Sequence, residues 1–372
     1  MRRAAAIAVT LAAATAVAGC SIGSIRRQSP APTTPPPDPQ TVVVPTPAAM
    51  EQRVVDVPVP GDYSQQTVEF VTQSLGYALF TRCGVASPSG ASGRQTCNAV
   101  LLATPDGGRS WQHLPHPWPD AVNHQLYAAD TRIVLLAEPY GWWVSPDLGR
   151  TFTHVPAGAD LPAAYRSIYG RYQICCDGDE RPHLVLWDGA RSVTVVPQPP
   201  VPGLSTVAES QTQLFAAGLR DGRPYVAVSD DLGATWTKTY VAGDAGRLVA
   251  VRVLTSAGQD SDAWLIGDTD RTAFPMIWHY DGAGWRPVGA TGHPATYISV
   301  AAAGEGVLAV SGAGYGGALV GGDFRPTGWP IASAGLVRLS DGTLYSQIGQ
   351  DLYLGIGDGL TRRWIKVVLR RM

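Results

Sequence analysis

Glu138 and Tyr140 stand two residues apart, a carboxylate beside a phenol, the pairing that can turn a tyrosine hydroxyl into a nucleophile. A glutamate in a solvated loop has the same signature, so the spacing admits both. Asp177-Gly178-Asp179-Glu180 gathers oxygen ligands of the kind a hard cation takes. The spacing of a calcium loop is missing, however, and a solvated acidic turn without bound metal is expected. His113, His116 and His124 follow no metal-ligand period. Beyond Cys20 the cysteines are Cys83, Cys97, Cys175 and Cys176, an even set. Cys83 and Cys97 end a Gly/Ser-rich loop between two strand-like runs, so a disulfide there would staple a hairpin. Cys175 and Cys176 would then form a vicinal disulfide, stiffening a loop or serving redox chemistry; free thiols or pairing elsewhere are the alternatives. No Cys-x-x-Cys, Gly-x-Ser-x-Gly, phosphate loop or dinucleotide fingerprint occurs in a suitable setting, and no cofactor is expected.

The elements that must position these groups are marked by a recurring turn. Thr104 to Trp111, Ser145 to Phe152 and Ser229 to Trp236 share the pattern Ser/Thr-x-Asp-x-Gly-x-Ser/Thr-aromatic. In a tight strand-to-strand turn the carboxylates of Asp106, Asp147 and Asp231 accept backbone N–H bonds, glycine takes a positive φ, and the aromatic enters a core. Weaker copies centre on Asp188, Asp281, Asp323 and Asp358, giving seven markers at intervals of 35 to 50 residues. That period, filled with short alternating strands, predicts an all-β fold: a seven-bladed β-propeller of four-stranded antiparallel blades. Six blades would require Asp323 to be coincidental. One repeat reads as strands at 125–129, 133–137, 142–145 and 152–155, and another at 206–209, 213–217, 225–229 and 235–240. Small-residue runs such as Ala216-Ala217-Gly218 and Ala301-Ala302-Ala303 suit inner strands crowded at an axis. Both 54–59 and 364–369 could be outer strands of the closing blade, which makes one of them an extra edge strand.

Composition agrees with a turn-rich globular chain: of 372 residues, 45% are hydrophobic and 16% charged, with 42 Gly and 30 Pro. A formal charge of -2 without a basic stripe argues against a nucleic-acid partner.

The turns resemble the Asp-box, or BNR repeat, of propellers such as sialidases. The resemblance implies that the boxes are structural and lie on the face opposite the ligand site. Ligands would then meet the loops between second and third strands and between blades, which hold Glu138, Tyr140, Tyr165, Arg166, Arg181, Arg220, Arg223, Arg247 and Arg271. A sialidase needs three arginines on the substrate carboxylate, a tyrosine nucleophile with its glutamate, and an acid/base aspartate. The Phe/Tyr-Arg-Ile-Pro motif usual before the first box is absent ahead of Asp106, and Tyr165-Arg166-Ser167-Ile168 and Phe324-Arg325-Pro326 are displaced echoes of it. Asp-box propellers also include assembly factors of photosystem II biogenesis, an analogy for a scaffold role.

At the N-terminus, Arg2 and Arg3 precede an apolar run to Ala18, and Val17-Ala18-Gly19-Cys20 resembles the bacterial lipobox. That implies a signal peptide over 1–19, lipid on Cys20, a Pro-rich linker over 20–53 and a propeller over 54–372. The expectation is therefore a monomeric lipoprotein, anchored in the cell membrane on its extracytoplasmic side, that binds an envelope protein or glycan without catalysis. A sialidase-type glycoside hydrolase acting on envelope or host glycans is the alternative.

Overall fold

A computed structural model describes residues 48–84, 96–175, 181–187, 191–243, 246–256, 262–270, 273–294 and 296–372. Seven antiparallel sheets follow one another along the chain as the blades of a propeller. Asp323 opens the outer strand Asp323–Pro326 of a complete sixth blade, so the six-bladed count fails.

The repeat is built from alternation. Blade 2 runs from its inner strand Asn123–Ala129 through Arg132–Glu138 and Gly141–Ser145 to the outer strand Thr153–Pro156. Blade 4 uses Leu204–Glu209, Leu214–Arg220, Arg223–Ser229 and Thr237–Thr239. Its outer strand starts two residues later than the sequence suggests because Thr235 belongs to the turn, bonded to Asp231. The middle strands are buried on both faces, as in Leu214 to Ala217, where every residue is inaccessible. Ala216-Ala217-Gly218 lies in such a second strand and not at the axis. The reason for Gly218 is a close backbone crossing, since a Cβ there would come within 2.3 Å of the Gly203 carbonyl. Ala301, Ala302 and Ala303 do lie in an inner strand, Tyr297–Gly304.

Blade 3 departs from the pattern. Its described sheet has three strands, Tyr172–Cys175, His183–Trp187 and Ser192–Thr194. Where the other blades place an inner strand, the chain instead forms a short helix, Ala163–Ser167, in a stretch read as loop. Pro162 just before it and two alanines favour the helix start.

Closure uses both candidate strands. Arg363–Arg371 is the outer strand of blade 7, and Met50–Val57 adds beyond it as a parallel fifth strand. That strand begins four residues upstream of position 54. Arg53, a charge near its centre, is neutralised by Glu51 at 2.7 Å and donates to the Gly107 carbonyl at 2.6 Å. Aromatic residues seal the joints between blades: Trp111 joins the core shared by blades 1 and 7, and Trp285 and Trp364 are fully buried. Cys83 pairs with Cys97 across the ends of the blade 1 hairpin, the disulfide expected there. Cys175 ends a strand, whereas Cys20, Cys176, the acidic run 177–180 and Arg271 lie outside the described residues, so the lipidation, vicinal-pair, cation and Arg271 readings rest on sequence alone. No helix among the described residues is long and apolar enough to cross a membrane.

Candidate functional site

The three recurrent turns are built alike. Ser229 donates its hydroxyl to Asp231 Oδ1 at 2.8 Å and accepts the Gly233 N–H at 2.7 Å; Thr235 gives Asp231 both its N–H and its hydroxyl. Asp147 repeats this with Ser145, Gly149 and Thr151, and Asp106 with Thr104, Gly108 and Ser110. The Thr151 N–H and hydroxyl and the Ser145 hydroxyl hold the Asp147 carboxyl down at about 2. The hydrogen bonds these carboxylates accept all come from inside the turn. The turns also share a face with the links between first and second strands, since Gly107 N–H bonds Ser74 O at 2.7 Å and Leu148 N–H bonds Thr131 O at 3.0 Å.

At the other end of the strands, blade 4 presents a cationic groove. Its second and third strands are joined by Asp221-Gly222, with φ of 54° and 75°, the mirror-image turn that suits the twist of a two-residue hairpin. The register then puts Arg220 directly opposite Arg223. Arg247 packs on the turn: its Cγ lies 2.8 Å from where a Gly222 Cβ would be, and Leu248 N–H bonds the Gly222 carbonyl. Arg220, Arg223 and Lys238 line a groove of about 1020 Å³ walled by Pro199 to Pro202 and by Tyr225 and Tyr240, which are 41% and 76% exposed. Among the described residues the carboxylate paired with these cations is Asp221, 3.9 Å from Arg220 with both side chains in solvent. Like charges directly opposite across a strand pair repel, so the hairpin carries a standing demand for an anion.

Three of the arginines singled out in the sequence thus come together. The others do not join them. Arg166 lies on the short helix with its guanidinium 5.6 Å over the Trp187 ring. Tyr165 is packed among Tyr127, Trp142 and Tyr169, and Arg181 is an exposed residue ahead of the strand His183–Trp187. Glu138 and Tyr140 part company: the carboxylate accepts from Asn123 at 3.4 Å, while the phenol ring lies on Trp118 at 4.7 Å. They form no hydrogen bond with each other. His116 and His124 meet edge to face at 5.2 Å, and burial pushes His116 down to about 4, a neutral pair packed inside the fold. Among the described residues no group of three or more His, Cys, Asp or Glu side chains is placed to hold a metal.

Lys238, Tyr225, Tyr240 and the proline wall were not among the expected site residues. Their signal is visible in retrospect: Lys238 is one of two lysines in the chain, and Pro199-Pro200-Val201-Pro202 is a stiff segment next to an Asp-Gly hairpin. Which strands bring them together is not encoded locally.

No family model and no curated protein matches this sequence. Solved structures with a similar fold include YCF48 from Cyanidioschyzon merolae, at 11% identity over 77% of this chain and 90% of that one, with a TM-score of 0.39. AztD from Citrobacter koseri matches at 11% identity over 81% and 93% of the two chains, TM-score 0.38. A GH74 xyloglucanase from Xanthomonas campestris matches at 15% identity over 79% of this chain and 45% of its own length, TM-score 0.29. At such identities the likeness concerns the propeller fold alone.

Proposed function

We propose that this chain is a membrane-tethered lipoprotein of the extracytoplasmic side whose propeller holds an acidic stretch of an envelope partner in the blade 4 groove, without chemical conversion. The observation that carries the reading is the directly opposed Arg220 and Arg223, with Lys238 along the same groove and Arg247 packed on their turn, where Asp221 is the carboxylate paired with Arg220 among the described residues. An anionic segment would relieve that repulsion, and the exposed faces of Tyr225 and Tyr240 would pack against its apolar parts. The tether follows from Val17-Ala18-Gly19-Cys20, with Cys20 as the lipidated residue and the Pro-rich stretch to Arg53 as spacer.

Crosslinking in intact membranes, followed by purification of the full-length chain, tests the groove. Wild type should capture a partner that the double variant Arg220→Glu, Arg223→Glu does not, and capture should weaken as salt rises. Equal capture by both overturns the groove assignment. Cys20→Ser should release the protein from the membrane fraction, and retention would remove the tether. Hydrolysis of a fluorogenic sialoside by the wild type, lost in Tyr140→Phe, would overturn the non-catalytic reading.

A further inference from the structure

A second cavity lies on the opposite face, at the axis, and the reading above does not use it. Its volume is about 980 Å³, and its walls are the ends of inner strands from blades 1, 2, 4, 5 and 7 together with Ser167 to Tyr172 of blade 3. The irregular blade accounts for the space. An inner strand at the blade 3 position would run along the axis, whereas the short helix and the turn after it leave the axis open on that side.

Two titratable side chains in this cavity, Arg338 and Glu69, form no ion pair among the described residues. Arg338 donates Nη1 to the Thr255 carbonyl at 2.6 Å, but its Nη2 is buried with no acceptor; Asp262, Asp358 and Asp341 act on it through space, opposed by Arg362, and none is bonded to it among the described residues. A buried guanidinium left half-bonded incurs the desolvation cost of that N–H without return, unless an anion completes it. Glu69, at the end of the blade 1 inner strand, has no hydrogen bond or ion pair among the described residues, and burial raises its carboxyl to about 7. Around neutrality much of it is therefore protonated and able to donate to a hydroxyl. The titratable side chains that sense it are Tyr127 of blade 2, Tyr169 after the helix and Tyr345 of blade 7, all above the physiological range. The remaining charges at the walls are Arg132, bonded to Ser167, the Arg171–Glu209 pair, and the exposed turn residue Asp130.

We propose that the axial cavity is a binding site for a small hydroxylated organic acid, with its carboxylate on Arg338 and its hydroxyls toward Glu69. Blade 7 supplies a guanidinium with an unfilled donor and blade 1 a neutral carboxyl, and the ligand that satisfies both carries an acid at one end and hydroxyls at the other. An inorganic anion would leave Glu69 unused, and a neutral polyol would leave Arg338 unpaired.

Isothermal titration of the full-length chain with D-gluconate, D-glycerate and L-tartrate at about pH 6 tests this, with sorbitol and hexanoate as the polyol-only and acid-only probes. At least one hydroxy acid should bind roughly tenfold or more tighter than either control. Arg338→Gln should lower that affinity by a similar factor. Wild-type affinity should fall between about pH 6 and pH 8 as Glu69 ionises and repels the ligand, and Glu69→Gln should bind at both with the slope removed. If Arg338→Gln does not fold, Gln211→Glu, an exposed change at the cavity wall, should weaken the hydroxy acid and leave sorbitol unaffected. The proposal is overturned if none of the three acids binds, if hexanoate or sorbitol binds as tightly, if folded Arg338→Gln or Gln211→Glu binds like wild type, or if Glu69→Gln keeps the wild-type pH slope.

Discussion

The hydroxyl of Ser229 is as important to its turn as the carboxylate it feeds. It is 1% exposed, donates to Asp231 and accepts from the Gly233 N–H, so Ser229→Ala strands a buried donor. The expected cost is about 1–2 kcal/mol, read as a lower urea midpoint with the slope unchanged. Asp231→Ala should lower stability too while partner capture by the folded protein persists, because its turn faces away from the groove. Loss of capture in the folded variant would show that the two faces have been confused. Glu69 behaves in the opposite sense. Its carboxyl is raised from 4.5 to about 7 in the folded protein, so an unfolded chain ionises first as pH rises. Stability tied to this group is complete below about pH 4.5 and is lost as pH climbs through 7. Glu69→Gln should therefore match wild type near pH 4.5 and exceed it at about pH 8 by up to ~3 kcal/mol, visible as a pH-dependent gap in melting temperature.

Within the hairpin of blade 4, function and stability pull apart, and that separation can be measured. Arg220→Glu replaces a like-charge pair with an opposite one facing Arg223, and should stabilise the folded protein by roughly 0.2–1 kcal/mol. The same change should abolish partner capture. A variant both more stable and unable to bind identifies a pair kept for recognition, whereas a less stable one would mean that the arginines serve packing. The Cys83–Cys97 hairpin is held covalently over a separation of 14 residues. In the chain-entropy account of disulfides, removing both thiols together should cost about 3 kcal/mol.

Closure of the ring determines how the whole molecule responds to damage. Blade 7 has five strands because Met50–Val57 covers the edge of Arg363–Arg371, with Val57 and Val59 buried in the core around Val367 and Leu369. A chain starting at Gly61 would leave that edge and its apolar face bare, so it should melt lower and scatter light on warming, while a chain starting at Val44 should not. The sequence alone determined the architecture, for a local reason: the bonds to Asp106, Asp147 and Asp231 lie within eight residues of chain, so their hydroxyl and glycine spacing announces the strands on either side. Strand alternation and the hairpin between Cys83 and Cys97 were legible on the same footing. The sites were not. Glu138 and Tyr140 are near in sequence but are drawn to Asn123 and Trp118, while register puts Arg220 opposite Arg223, blade packing lays Arg247 on their turn, and Lys238 reaches the same groove from the outer strand. Glu69 and Arg338 share a cavity only because the ring joins the chain's first blade to its last, and because a helix stands where an inner strand was due. Side-chain partners across blades are fixed by packing geometry, which only the tertiary structure supplies.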